Sequence, residues 1–177
     1  STPENSSTVL APSAIGGARK VVVTAASGPG LVSVEVDLNN DSRFDYSENA
    51  STTGDALAIW DGGLGDSDVV NEDGLGGIDL TGGGAQDSIV VSIVSSQTPA
   101  TKTFTIYTDE NRASRASISI PGFTANKDER IPFSAFTPIL GTGADFSNVG
   151  AITAEIKKSP GNEVFALDYN LDRIGTV

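Results

Sequence analysis

The sequence contains no cysteine, no methionine and no histidine among its 177 residues. These absences exclude disulfide bonds, thiolate and imidazole metal sites, cysteine nucleophiles and Ser-His-Asp triads. Oxygen atoms are the ligands that remain for a metal ion, and they favour hard cations such as calcium over zinc or copper.

Aromatic residues, basic residues and long apolar runs are also scarce. There are one Trp, three Tyr and seven Phe, and no apolar run approaches the ~20 residues of a membrane-spanning helix. Lys and Arg total 11 against 23 Asp and Glu, which gives a formal net charge of -12. An acidic surface of this kind repels nucleic acid and anionic membranes, and it suits calcium, cationic partners or simple solubility.

What the sequence does contain is typical of an exported all-β protein. Twenty glycines and many Ser and Thr residues predict short strands joined by many turns. A start at Ser1 rather than Met is expected if a signal peptide has been removed or if the sequence has been trimmed. We therefore predict an extracellular or cell-surface location.

About ten segments have the alternation or the β-branched composition of strands, and segments with a helical period are almost lacking. In residues 31–38, for example, Val32, Val34 and Val36 share one side. The predicted strands are residues 18–26, 31–38, 55–61, 78–80, 87–95, 102–108, 116–120, 130–136, 151–157 and 164–174. This pattern predicts an all-β fold, a single β-sandwich (jelly roll) of about ten strands over residues 14–177.

Residues 1–13 are polar and predict an extended N-terminal arm. Such an arm can act as a donor strand that adds to the sheet edge of a neighbouring molecule, either alone or together with residues 14–24. Repeated head to tail, this contact builds an open filament, a homo-polymer. The alternative is an arm held on its own domain.

Residues 37–48 read D-L-N-N-D-S-R-F-D-Y-S-E, with oxygen ligands at the spacing of a calcium loop. The six predicted ligands are Asp37, Asn39, Asp41, the carbonyl of Arg43, Asp45 and Glu48. Ser42 departs from the pattern, because glycine normally supplies the sharp turn at the sixth position. The segment resembles isolated EF-like and dockerin-type loops, which implies bound calcium. The alternative is a turn rich in Asn and Asp between two strands.

Catalysis is not predicted, because nothing singles out one pair among the 23 acidic residues as a hydrolytic pair. Sugar binding needs aromatic faces beside hydrogen-bonding groups. Trp60 next to Asp61, together with Tyr46 and Tyr107, are the candidates. The alternative for these aromatic residues is core packing, since each lies in or beside a predicted strand.

Several short segments resemble those of exported bacterial surface proteins, of the kind that often carry a PEP-CTERM sorting tail. They are residues 15–20, 58–62, 74–81, 131–136, 143–152 and 166–172. The segments I-P-F-S-A-F and F-S-N-V-G-A-I also resemble two consecutive strands of jelly-roll carbohydrate-binding modules. The resemblance implies an extracellular jelly roll from an exopolysaccharide or biofilm setting.

Two functions follow from these observations. The first is a structural subunit of an extracellular fibre or biofilm matrix, assembled through the N-terminal segment and stiffened by calcium. The alternative is a secreted, lectin-like carbohydrate-binding module without catalysis, with a polysaccharide as its partner.

Overall fold

The computed structural model describes residues 4–10, 15–36, 44–63, 68–162 and 164–177. These residues form twelve strands and two short 3-10 turns, Ile15–Gly17 and Phe133–Ala135. The strands are β1 (Glu4–Leu10), β2 (Ala18–Ser27), β3 (Val32–Val36), β4 (Phe44–Glu48), β5 (Thr53–Trp60), β6 (Ser88–Ser96), β7 (Ala100–Asp109), β8 (Arg112–Ile120), β9 (Thr124–Pro132), β10 (Thr137–Leu140), β11 (Ala151–Lys158) and β12 (Leu167–Thr176).

The strands lie in two antiparallel sheets. Sheet A has the order β1-β2-β5-β11-β7-β8-β10, and sheet B has the order β3-β4-β12-β6-β9. Successive strands often change sheet, for instance from β6 in sheet B to β7 in sheet A, as in a Greek-key sandwich.

The core lies between the two sheets and follows from the alternation in sequence. Sheet A supplies Phe104 and Ile106, and sheet B supplies Tyr46 and Tyr169, all of them buried. A fully buried Leu, Ile or Phe side chain contributes roughly 1.5–3 kcal/mol through removal of apolar surface from water. The prediction of an all-β sandwich is confirmed, with twelve strands in the described residues rather than about ten.

The prediction of one strand over residues 130–136 was wrong at its end. β9 stops at Pro132, and a 3-10 turn follows at Phe133–Ala135. Proline has no N–H to donate to a ladder, so a strand that includes one tends to end there.

The described part of the predicted N-terminal arm is a strand of the sandwich. β1 pairs with β2 over seven residue pairs, from Glu4 with Thr24 to Leu10 with Ala18. β2 in turn pairs with β5 on its other side. Residues 1–3 and 11–14 lie outside the described residues, and donation of a strand to a neighbouring molecule stays a prediction.

The long connection between β5 and β6 packs against one end of sheet A. Ile78 forms an isolated bridge with Val149, and the Leu75 amide donates to the carbonyl of Gly150. Within the described ranges, no helix is long and apolar enough to cross a membrane.

Candidate functional site

Five short connections meet at the end of the sandwich opposite the β5–β6 connection, and we call this the hairpin end. They are residues 28–31, 49–52, 97–99, 121–123 and the described part of the β11–β12 connection, 159–162 and 164–166. Backbone hydrogen bonds join them: Asn49 N–H donates to Leu31 O, and Ser159 N–H donates to Pro99 O. Such bonds satisfy the polar backbone where the ladders stop. They join residues 28–31 with 49–52, and residues 97–99 with the connections at 121–123 and after β11.

Large apolar side chains are exposed at the hairpin end. Phe123 is 92% exposed, Leu31 78%, Val164 65% and Phe165 57%. Single exposed apolar residues are ordinary, but several at one end of a molecule point to a binding site.

Phe123 and Phe165 flank the turn at Gln97. The Phe123 amide donates to the Gln97 carbonyl at 3.2 Å, and the Gln97 amide donates to the Asp168 carbonyl at 3.1 Å. The Thr98 hydroxyl donates to the carbonyl of Ala166, the residue after Phe165. We call Phe123, Gln97, Val164 and Phe165 the platform.

The position of the platform follows from the strand order. Phe165 lies two residues before β12, Phe123 lies directly before β9, and β6 separates those strands in sheet B. Neighbouring strands are about 4.8 Å apart, so β12 and β9 are about 10 Å apart across the sheet. Phe165 and Phe123 therefore stand on connections to two different strands of one sheet.

Phe123 is also held in an uncommon backbone conformation. Its φ is 59°, in the left-handed region that non-glycine residues adopt at a cost. Gly122 allows its turn to approach the neighbouring one, since a Cβ there would lie 2.9 Å from Pro99 Cδ. Strained residues cluster at functional sites.

A small pocket of about 210 Å³ lies at the same end of the sandwich. Its lining residues are Ala26, Glu48, Thr53, Gly54, Asp55, Lys157, Lys158 and Pro160. The pocket is below the about 300–1,000 Å³ of common ligand sites.

A buried ion pair in the pocket wall joins the two sheets. Lys158 Nζ of β11 lies 3.1 Å from Glu48 Oε1 of β4, with side chains 4% and 0% exposed. The same ammonium donates to the carbonyls of Asn49 and Thr52, while Tyr46 donates to Glu48 Oε2 at 2.7 Å. Burial first, and then this hydrogen bond to the carboxylate, raise the pKa of Tyr46 far above its ordinary value. Tyr46 therefore remains a neutral donor.

The aromatic residues that the sequence proposed for sugar binding do not form an exposed surface. Tyr46 is buried, Trp60 is only 9% exposed, and both belong to the core. Tyr107 is half-buried on β7. The platform residues Phe123 and Phe165 were missed, although Pro121-Gly122 directly before Phe123 is a turn signal that places a side chain at a tip.

The structure separates two of the six predicted calcium ligands. Phe44, Tyr46 and Glu48 of β4 are buried while Asp45 is half-buried, so Asp45 and Glu48 lie on opposite faces of one strand. Asp37, Asn39, Asp41 and Arg43 lie outside the described residues. The described residues bring together no group of three or more acidic side chains that could hold a metal ion. Calcium binding by residues 37–48 stays a prediction.

No family model matches the chain, and no curated protein matches it. Solved structures with a similar overall arrangement include a family 11 carbohydrate-binding module from Clostridium thermocellum in complex with a β-1,3-1,4-mixed-linked tetrasaccharide. It is 15% identical, with 98% of this chain and 88% of that chain covered and a TM-score of 0.49.

Two further structures have lower TM-scores. The family 11 module of the cellulosomal cellulase Lic26A-Cel5E of Clostridium thermocellum is 16% identical, over 98% of this chain and 86% of that one, with a TM-score of 0.45. TmCBM61 in complex with β-1,4-galactotriose is 6% identical, over 89% of this chain and 87% of that one, with a TM-score of 0.40. At these values the likeness carries no argument about ligand or site.

Proposed function

We propose that the protein is an extracellular, non-catalytic carbohydrate-binding module that takes a glycan chain on the platform. The observation that supports this proposal is the pair of exposed aromatic side chains, Phe123 and Phe165, on either side of Gln97. The apolar faces of two sugar rings stack on the side chains of Phe123 and Phe165. The exposed Gln97 side chain between them donates to and accepts from sugar hydroxyls.

The charge of the protein narrows the class of glycan. With a net charge of -12, the surface repels polyanions such as uronic acid polymers. A neutral polysaccharide pays no such electrostatic cost and is the ligand class that we propose.

The test is a binding panel of neutral, acidic and amino-sugar polysaccharides. We expect retention on a neutral glycan, and we expect the double variant Phe123→Ala/Phe165→Ala to lose at least about tenfold in affinity, roughly 1.4 kcal/mol. Val69→Ala, which also truncates an exposed apolar side chain but lies in the β5–β6 connection, is the matched control. Binding that survives the double variant, or no binding to any neutral glycan, contradicts the proposal. The number of reducing ends of the glycan is also measured after incubation with the protein. An unchanged number is the result expected of a module without catalysis.

A second candidate is a structural subunit of a fibre or biofilm matrix, assembled by donation of the N-terminal strand. It is favoured by the position of β1, which is the terminal strand of sheet A and packs on β2. Donation is tested by mixing Glu4→Cys and Thr24→Cys, a residue pair within the β1–β2 ladder. A mixed disulfide and filaments in electron microscopy support donation, whereas cross-linking only within a Glu4→Cys/Thr24→Cys double variant contradicts it.

Calcium is proposed as a ligand that stiffens residues 37–48 in either case. Titration calorimetry with calcium is the test. Heat from the wild type that is lost in Asp37→Ala and kept in Asp128→Ala, an exposed acid on β9, supports the site. The absence of heat from the wild type contradicts it.

A further inference from the structure

The two sheets have four terminal strands, and three of them carry features that block pairing with another molecule. β9 has a run of charged residues from Lys127 to Arg130. β10 contains Pro138 and a shift of register. β3 has five residues and includes Glu35. Charges, proline, irregularity and short length are the usual means by which proteins protect sheet edges.

β1 lacks these features. It has seven residues, its only charged residue is Glu4 at one end, and it contains no proline. Its ladder with β2 runs from Glu4 to Leu10 without a shift of register, so the strand is regular. Asn5, Ser6 and Ser7 are exposed. Among the strands that the structure describes, β2 is the one that pairs with β1, so β1 is a terminal strand of sheet A.

We propose that two copies of the protein join edge to edge through β1, so that sheet A continues across the two molecules. Main-chain hydrogen bonds between strands supply the affinity in contacts of this type. β1 keeps its pairing with β2, so the contact needs no strand to leave its own sheet.

A second copy of this chain fits the edge for electrostatic reasons. Most surfaces of a molecule with a net charge of -12 repel their own copies, whereas Asn5–Leu10 carries no charge. In an antiparallel pairing centred on Ser7, Glu4 lies opposite Leu10 of the other copy. A parallel pairing would place Glu4 opposite Glu4, and like charges directly opposite destabilise a sheet. The antiparallel arrangement has two-fold symmetry and closes as a dimer.

The dimer goes beyond glycan binding and depends on neither a glycan nor calcium. Its two platforms remain open, because they lie at the hairpin end of sheet B whereas β1 is at the edge of sheet A. A dimer would therefore bind a polysaccharide through two linked sites and gain avidity. One short ladder is small beside the about 1,200–2,000 Å² of a standard interface, so we expect a weak dimer that forms between micromolar and millimolar concentration.

A symmetric disulfide tests the geometry, since the natural chain has no cysteine. Opposite residues in an antiparallel pair have Cα atoms about 4.5–5.5 Å apart, within the range of about 4.4–6.8 Å that a disulfide spans. We expect Ser7→Cys to form a disulfide-linked dimer under mild oxidation. Ser33→Cys, an exposed serine on the protected terminal strand β3, is the matched control and should remain a monomer.

A charge at the same position tests the contact in the absence of a cross-link. In sedimentation, the wild type should shift from 18.1 kDa toward twice that mass as concentration rises. Ser7→Lys should remain a monomer, because two lysines would face each other, while Ser33→Lys should behave as the wild type. A wild type that is monomeric at millimolar concentration, or equal cross-linking of Ser7→Cys and Ser33→Cys, overturns the proposal. So does a mixed disulfide between Glu4→Cys and Thr24→Cys, which would show donation of β1. None of these results bears on glycan binding.

Discussion

Lys102 is a basic side chain in the middle of the core. It lies on β7, is buried, and its Nζ is 5.4 Å from the ring centre of Tyr169, 5.5 Å from Phe104 and 5.9 Å from Phe44. Burial lowers the pKa of Lys102 from 10.5 to about 7. The three rings favour the charged form and offset part of that effect. The Tyr169 hydroxyl, whose pKa burial raises, stays neutral and adds no charge.

The lowered pKa of Lys102 makes the free energy of unfolding depend on pH. Between pH about 7 and about 10.5 the unfolded chain holds a proton that the folded protein does not, so stability rises with pH across this window. Below pH 7 the buried Lys102 is charged, and its burial lowers the free energy of unfolding by on the order of 5 kcal/mol, before the favourable contribution of the rings.

We therefore expect Lys102→Met to raise the free energy of unfolding at neutral pH and to reduce its rise toward pH 10. Denaturant unfolding at several pH values measures both effects. Lys127→Met, which removes a half-exposed lysine paired with Glu129, is the control and should leave the pH dependence in place. A Lys102→Met variant less stable than the wild type at pH 7 would contradict the expectation.

At the scale of elements, the β5–β6 connection is anchored by a buried ion pair. Lys20 Nζ of β2 lies 2.7 Å from Asp61 Oδ2, and it also donates to the carbonyl of Val69. The same Asp61 oxygen accepts from the Asn71 amide at 2.8 Å. Gly74 permits the close approach, because a Cβ there would lie 1.7 Å from the Asp61 carbonyl oxygen. One carboxylate therefore joins β2 to the connection.

We expect Asp61→Asn to destabilise the protein by about 3–5 kcal/mol, since it leaves the ammonium of Lys20 buried without its counter-charge. Hydrogen exchange should show faster exchange in residues 68–77, whose packing depends on this anchor. The double variant Lys20→Met/Asp61→Leu removes both charges and should be closer to the wild type in stability. An equal loss of stability in the single and double variants would show that the unpaired charge of Lys20 is not the cause of the destabilisation.

The same scale shows what the sequence could predict. The alternation of apolar and polar residues predicted the strands that form the centre of each sheet. A strand with one face in the core needs apolar side chains at every second position. The alternation did not predict β4, since Phe44–Glu48 alternates correctly but also fits the end of a calcium loop. Glu48 reads as a ligand in sequence, whereas its buried partner Lys158 is 110 residues away and no local pattern connects them.

The candidate site was harder to predict for a similar reason. Trp60 and Phe123 are both single aromatic residues near acidic or polar neighbours in sequence. Trp60 faces the opposite sheet, while Phe123 stands on a turn. Their difference depends on which connections meet at one end of the sandwich, which is set by pairing between distant strands. The sequence shows the turn signal at Pro121-Gly122, but it does not show which connections lie together at the hairpin end.

For the whole molecule, the excess of acidic residues is a source of instability. Glu35 and Asp45 lie directly opposite each other on β3 and β4, and like charges opposite one another destabilise a sheet. By contrast, Glu155 lies 3.1 Å from Lys157 Nζ on β11. Long-range repulsion among exposed charges is screened by salt, with a Debye length of about 10 Å at 0.1 M.

We expect the thermal unfolding midpoint to rise with sodium chloride, because screening relieves the repulsion that a net charge of -12 produces in the compact state. Glu35→Gln should raise the midpoint at low salt and weaken its salt dependence, since it removes one member of a repulsive pair. Glu155→Gln, which lowers the net negative charge equally but removes an attraction, is the matched control and should gain less. Scanning calorimetry across a salt series measures these differences. A midpoint that falls with added salt would mean that attractive pairs such as Lys157 with Glu155, rather than net repulsion, dominate the electrostatics of the fold.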